Sequence, residues 1–342
     1  MAKKNLNAKK FTPDVSVIVS MYNVENFIAE CLTSLLNQTL KNIEVIVVDD
    51  CSTDNSVAVV KNFLPKFEGR LTLLSTKKNS GYPGIPRNLA MNQAHGKYIT
   101  FVDSDDFIDE DALKKLFNVA ENFNADVVHA EKCFTLKDGV TQIESTQEFS
   151  VEENFLETED IGRRVVDFTE KKYLWWACNK LFRRDFLTKN NIKFPAMTTY
   201  EDLIFTFQCV ICAKNYLRVP DNVYHYRIRS DSLSRKGADG IEIAKNLIEA
   251  VKFLDKFMAA QKFFVNNPKY QYVILDFFIQ GRLESIAQSF FILTDIEIDK
   301  IYNYLKENIF SVKPNENIAL TSYLFTTTGL YKLMIDHLQG KE

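Results

Sequence analysis

A chain of 342 residues can bury one large core or two modest ones, and 46% hydrophobic with 25% charged residues is ordinary for a globular protein. A net charge of -3, with no basic helix or aromatic-basic motif, argues against a nucleic-acid partner. No apolar run approaches the ~18 residues of a membrane span, and the N-terminus lacks a signal-peptide core, so the expected location is the cytoplasm. Peripheral attachment at the inner face of the membrane is compatible with this.

Residues 1–13 form a polar tail with Lys3, Lys4, Lys9 and Lys10, closed by Pro13. Val15 to Ser20 predicts a first strand. Tyr22-Asn23 then turns into a helix whose apolar positions, Val24, Phe27, Ile28, Cys31, Leu32, Leu35 and Leu36, fall on one face, with Asn23 as N-cap. Ile43 to Val48 is a second strand ending at Asp49-Asp50, and Ser52-Thr53-Asp54 caps a helix running to about residue 63. Leu71 to Leu74 is a third strand. The loop Asn79-Ser80-Gly81-Tyr82-Pro83-Gly84-Ile85-Pro86 leads into a helix carrying Arg87 and stopping at Gly96.

Tyr98 to Val102 predicts a fourth, buried strand, which runs straight into Asp103-Ser104-Asp105-Asp106. Side chains alternate along a strand, so Asp103 and Asp105 leave on one side. Two converging acids repel unless a cation lies between them, and a hard divalent ion with phosphate oxygens answers that need. The competing reading is an acidic turn in which Asp106 or Asp109 caps the helix from Glu110 to about residue 123. Ala125 to Ala130 predicts a further strand.

Beyond residue 131 the alternation is lost, and residues 135–160 are polar and acidic. Trp175-Trp176 and Asn179-Lys180-Leu181-Phe182 follow, then a helix from about Arg184. Tyr200-Glu201-Asp202 opens an apolar helix to Cys212, and Val219 to Arg227 reads as a strand. From about Gly240 amphipathic helical patterns dominate. Their many Phe residues suit a core or a homodimer contact. The six cysteines form no disulfide framework, and Cys209-x-x-Cys212, in an apolar helix without a second pair, reads as buried thiols.

Strands that are nearly all apolar and alternate with helices predict an α/β fold, with a mostly parallel sheet covered by helices on both faces. In such sheets ligands bind beyond the carboxyl ends of the strands. Four polar clusters fall there: Tyr22-Asn23, Asp49-Asp50, Asn79 to Arg87, and Asp103 to Asp106. No G-x-G-x-x-G follows the first strand and no phosphate-binding G-x-x-x-x-G-K-[ST] occurs, which leaves metal and Arg87 to hold phosphates. With Tyr22 able to stack on a base and Asp49 or Asp50 able to accept from a base or sugar, the clusters describe a nucleotide-diphosphate site.

The segments V-S-V-I-V-S-M-Y-N (15–23), V-I-V-V-D-D-C-S-T-D (45–54), N-S-G-Y-P-G-I-P-R-N (79–88) and F-V-D-S-D-D (101–106) resemble those of the inverting, nucleotide-sugar-dependent glycosyltransferases of family 2, with the GT-A fold. The 79–88 loop is similar to that of enzymes acting on polyol-phosphate teichoic acids, and N-K-L-F-R-R-D-F-L followed by E-D is similar to capsule and lipopolysaccharide enzymes. The resemblance implies a UDP-sugar donor, with Tyr22 and Asp50 at the uracil, Arg87 and nearby Asn79 at the pyrophosphate or base, and Ser20 where a Pro is common. It implies that Asp103 meets the ribose and Asp105 the Mn2+ or Mg2+, with Ser104 between them, and that Asp202 is the general base. Glu201 then orients sugar or acceptor. His225 falls near the metal or is simply packed. Trp176 stacks on sugar or is core. Arg227, Arg229 and Arg235 clamp phosphates or are solvated.

These assignments divide the chain into a nucleotide-sugar half at 14–130, an acceptor half with the base at 131–238, and a helical region at 239–342. The expected activity is metal-dependent transfer to a hydroxyl of a bacterial surface glycan, or of a lipid-linked acceptor. Helix capping by Thr199-x-x-Asp202 is the structural alternative for the base. A phosphate-group transferase, for glycerol-phosphate or nucleotidyl groups, and a non-catalytic sugar-nucleotide scaffold are the functional ones.

Overall fold

The structure is a computed structural model and describes residues 12–137, 141–144, 150–229, 240–290 and 295–309. The four apolar runs form neighbouring parallel strands: β1 (Val15–Met21), β2 (Ile43–Asp49), β3 (Leu71–Ser75) and β4 (Tyr98–Phe101). Residues of both parities in β1, β2 and β4 are buried, as a sheet covered on two faces requires. Further along come β5 (Phe107–Ile108), β6 (Val127–Lys137), β7 (Thr141–Glu144), β8 (Phe155–Leu156), β9 (Lys180–Arg183) and β10 (Tyr216–Arg227). The strand order is β3-β2-β1-β4-β9-β6-β10-β5, with β7 on β6 and β8 on β10. Beyond β4 the sheet is mixed: β9 is antiparallel to β4 and β6, whereas β10 is parallel to β6.

Helices α1 (Ile28–Leu36), α2 (Ser56–Phe63), α3 (Gly84–Met91) and α4 (Ala112–Asn122) fill the connections between the early strands. Two starts and one stop differ from expectation. Asn23 is not the N-cap of α1. It sits at a left-handed φ of 50°, and its Oδ1 accepts from the Thr53 amide at 2.8 Å. The amides of Asn23, Val24 and Glu25, which would open a longer helix, donate instead to Ser52 Oγ, Ser56 Oγ and Asp54 Oδ2. The helix therefore begins one turn later, and residues 52–54 stitch two loops together more than they cap α2. The helix carrying Arg87 stops at Met91, before Gly96.

Gly96 serves a different purpose. A Cβ on it would lie 2.5 Å from the Ser16 amide nitrogen and 2.8 Å from the Tyr98 carbonyl oxygen, both main-chain atoms that cannot step aside. Gly96→Ala is therefore expected to lower stability by roughly 1–3 kcal/mol, read as a lower urea midpoint with an unchanged slope.

Strand β6 runs seven residues past Ala130, through a sequence too polar to suggest a buried strand. Arg218 on β10 explains it. Its guanidinium grips the fully buried Glu131 with two bonds of 2.6 and 2.7 Å and reaches Glu157 at 3.1 Å, so the charges are paired where water is excluded. Buried His129 alongside is pushed well below its ordinary pKa by desolvation, then by Lys180 and Arg218. Strand β10 begins before Val219 and shifts register on either side of Asn222, just after Pro220, which has no amide to give the ladder.

The chain divides into two compact units. The first holds the described residues of Met1–Glu157, Trp176–Lys193 and Ala213–Ile228, with all ten strands, α1 to α4, and the short helix from Arg184, here completed by Lys189. Numbering helices in chain order makes α5 Ile161–Thr169, α6 Arg184–Lys189 and α7 Glu201–Cys212, followed by α8 (Gly240–Ala259), α9 (Lys262–Asn266), α10 (Pro268–Phe290) and α11 (Asp295–Ile309). The second unit is helical. Phe168 of α5 packs its ring against Phe207 of α7 at 5.1 Å and Phe277 of α10 at 5.9 Å, and Phe207 also meets Phe257 of α8. Phe168 and Phe207 are fully buried in this unit's core, with Phe257 and Phe277 half-buried against them, and buried Arg164 of α5 donates to the Val210 carbonyl at 2.9 Å. Cys209 is buried and Cys212 half-buried, both as free thiols.

Candidate active site

Because β2 and β4 flank β1 on opposite sides, a crevice opens beyond the carboxyl ends of β1 and β4. All four polar clusters follow strands that end at this edge, and all belong to the first unit. Near the end of β1 Ser20 is half-buried, and just after it Tyr22 is 47% exposed, an unusual position for a large ring. After β2, Asp50 is 6% exposed, and its carboxylate accepts from Thr76 Oγ1 at 2.7 Å and from Ser80 Oγ at 2.8 Å. The Ser80 amide adds a bond of 3.0 Å. Asp50 thus anchors the loop after β3 to the end of β2. Within that loop the Asn79 side chain accepts from the Gly81 amide at 2.8 Å, closing a turn in which Gly81 takes a φ of +69° that a Cβ would disfavour.

Arg87, on α3 and nearly buried, donates through Nη2 to Asp103 Oδ1 at 2.8 Å. Strand β4 stops at Phe101, so Asp103 to Asp106 form a turn rather than an extended strand end. It is closed by the Asp106 amide donating to the Asp103 carbonyl at 3.0 Å. Asp103 and Asp105 are half-buried, while Ser104 and Asp106 are buried. Neither Asp106 nor Asp109 caps α4, whose N-cap residue is Asp111. Asp106 instead accepts from the Tyr224 hydroxyl and the Arg227 amide, each at 2.7 Å. Burial pushes its carboxyl well above the usual range, and the charges of Asp103 and Asp105 push it further, against these two bonds.

This concentration of negative charge is the feature a divalent cation would relieve. Among the described residues no three His, Cys, Asp or Glu side chains gather as a metal cage. The donor set therefore fits an ion that takes one carboxylate contact from the chain and draws other ligands from diphosphate oxygens and water, the habit of Mg2+ at phosphate sites.

On β10, His225 lies between the rings of Phe107 and Phe134, with centroids 4.4 and 4.9 Å away, and its Nε2 is 2.7 Å from Asp109 Oδ1. Arg227 does not stand open to solvent: its Nε donates to the Asp105 carbonyl at 3.0 Å and its Nη2 to Glu30 at 2.6 Å. Trp176 stacks on Tyr226 at 5.8 Å, and its carbonyl accepts from buried Lys180. Sequence reasoning missed Tyr224. A tyrosine inside a strand carries no local sign that the strand will pass behind an acid turn more than a hundred residues earlier.

In the second unit, α7 starts at Glu201, so the residue before it is Tyr200, held at a φ of 70°. Thr199 therefore does not stand directly before the first helical residue of α7. Glu201 is buried and Asp202 half-buried in the first turn of α7. The threonines ahead of them are held by buried Asn246 of α8, whose Nδ2 donates to Thr198 Oγ1 at 2.6 Å and Thr199 Oγ1 at 3.3 Å. Arg229 is half-buried, and Arg235 lies outside the described residues.

An exposed aromatic ring, a buried arginine and a turn of acids thus meet at the switch point of a mostly parallel sheet, where α/β domains take their ligands. The chain belongs to glycosyl transferase family 2, whose model matches residues 16–189. The resemblance drawn from its motifs holds, and so does the GT-A architecture with C-terminal helices. The chain is 34% identical to a poly(ribitol-phosphate) beta-glucosyltransferase of Bacillus spizizenii, over 64% of this chain and 32% of that protein. It is 30% identical to the poly(ribitol-phosphate) beta-N-acetylglucosaminyltransferase TarP of Staphylococcus aureus, over 71% of this chain and 72% of TarP. The crystal structure of S. aureus TarS 1–349 in complex with UDP-GlcNAc superposes with a TM-score of 0.73 at 25% identity, covering 96% of this chain and 92% of that one. In the glucosyltransferase and in TarS the matched stretch is only 32% and 36% of the relative's length.

Proposed function

We propose that this chain transfers a sugar, with inversion, from a UDP-sugar to a hydroxyl of a bacterial surface glycan, a polyol-phosphate polymer of the teichoic acid kind being the favoured acceptor. The observation that carries the reading is the convergence of Tyr22, Asp50, Arg87 and the Asp103–Asp105 turn on one sheet edge, in a chain similar along nearly its whole length to an enzyme bound to UDP-GlcNAc. Tyr22 offers its exposed ring to the uracil. Asp50 accepts from the base, sharing its carboxylate with the bonds it takes from Thr76 and Ser80. Asn79 shapes the loop, and Arg87 and Asp103 face the phosphates and ribose as an already formed pair.

In the reaction the acceptor oxygen attacks the anomeric carbon, the bond from that carbon to the diphosphate breaks, and UDP leaves. Asp202 takes the proton of the attacking hydroxyl. When bound beside Asp105, a divalent cation supplies neutralisation of the charge growing on the diphosphate. Of the two residues expected at the metal we retain Asp105. His225, with Nε2 committed to Asp109, is given the task of steadying the strand behind the turn. Glu201, Trp176 and Arg229 remain assigned to sugar and acceptor. No helix among the described residues is long and apolar enough to cross a membrane.

A panel of UDP-sugars, each incubated with Mn2+ added and withheld, tests the proposal. One donor should release UDP in a Mn2+-dependent way, faster when poly(ribitol phosphate) is supplied, with a single anomer of inverted configuration on the product. Turnover of a CDP-polyol in place of every UDP-sugar would move the chain to the phosphate-group transferases.

A further inference from the structure

The acid turn is held from behind by β10, and the bonds are unevenly distributed. Tyr224, 1% exposed, receives the Asp103 amide on its hydroxyl oxygen at 3.1 Å and donates the same hydroxyl to Asp106 Oδ2 at 2.7 Å. Three residues further along, the Arg227 amide holds the other oxygen of Asp106 at 2.7 Å, and its guanidinium holds the Asp105 carbonyl. One phenol thus spans the turn from its first residue to its last, with Asp105 suspended between. Asp106 itself is turned inward and spent on these bonds.

We infer that Tyr224 is a positioning residue for transfer: its hydroxyl fixes the turn that presents Asp103 and Asp105, so the divalent ion and the donor diphosphate meet a preformed site. The inference rests on the reading that Asp105 contacts the metal. Outer groups that orient ligating side chains are worth about 10–100-fold in metal affinity or activity. Carboxylates that crowd one another need such a brace more than most, because their repulsion acts to spread the turn whenever no cation is bound.

Tyr224→Phe deletes only the hydroxyl and leaves the ring packed. Tyr98→Phe is the matched control, since Tyr98 is equally buried and gives its hydroxyl to Glu121 at 2.8 Å, away from the turn. UDP binding is titrated by calorimetry with and without Mn2+ on both variants and the wild type. Amide hydrogen exchange at Asp103 is followed in the metal-free proteins. Tyr224→Phe should weaken Mn2+-dependent UDP binding about 10-fold or more, change metal-free binding less than about 3-fold, and speed exchange of the Asp103 amide. Tyr98→Phe should leave all three readings near wild type. Wild-type Mn2+-dependent affinity in Tyr224→Phe overturns the inference, as does an equal loss with and without Mn2+, the mark of a merely structural effect. A wild-type protein whose UDP binding ignores Mn2+ overturns the metal reading itself, and the inference with it.

Discussion

Asp202→Asn is expected to reduce kcat by about 10^3-fold while UDP still binds with nearly wild-type affinity in the presence of Mn2+. General-base catalysis contributes roughly 10^2 to 10^4 in rate, and an amide of the same shape cannot take up the acceptor proton. Folding should survive. Asp202 sits in the first turn of α7, half-buried, and losing one negative charge near a helix N-terminus costs about 0.3–1 kcal/mol. The Asn246 bonds to Thr198 and Thr199, which hold the residues ahead of the helix, do not involve its carboxylate. Donor affinity and turnover should therefore separate in one variant. Glu201→Gln makes the comparison sharper: Glu201 is assigned to orientation, so its loss should raise the acceptor KM and lower kcat less. Transfer by Asp202→Asn within about tenfold of wild type would remove Asp202 from the mechanism.

The fold was legible where apolar runs are continuous and the connections short. β1 to β4 came directly from Val15, Ile43, Leu71 and Tyr98 onwards, because short continuous apolar runs, buried on both faces in β1, β2 and β4, are visible in the local pattern alone. The polar clusters at their ends were legible for the same reason, since a ligand edge is fixed once strand direction is known. What stayed hidden depends on pairing across long separations. Glu131 made β6 look too polar to continue, and only Arg218, far along the chain, makes it tolerable. Asn23 looked like an N-cap because its competing partner, the Thr53 amide, belongs to the next βα loop. The acids after β4 read as an extended strand end; the turn that replaces it is closed locally by Asp106, but its brace arrives from Tyr224 and Arg227.

Asp105→Ala should abolish the Mn2+ dependence of UDP binding, leave metal-free binding intact, and lower kcat/KM for transfer about 10^3-fold. A metal that stabilises charge on a leaving group is worth several kcal/mol of transition-state energy, and Asp105 is the acid of the turn assigned that contact in the proposal. Its neighbours are poorer choices for the test. Asp103 pairs with the buried Arg87, so removing it takes a charged partner from a buried guanidinium, and Asp106 is buried between Tyr224 and Arg227. Asp105 is held through its carbonyl, by Arg227 Nε, which alanine retains. Its charge also opposes the buried Asp106, so its removal relieves part of the repulsion within the turn. Loss of metal response together with intact metal-free UDP binding is a combination that general damage to the fold cannot produce. If UDP binding by Asp105→Ala still tightens with Mn2+, the ion is held elsewhere and Asp105 has no part in it.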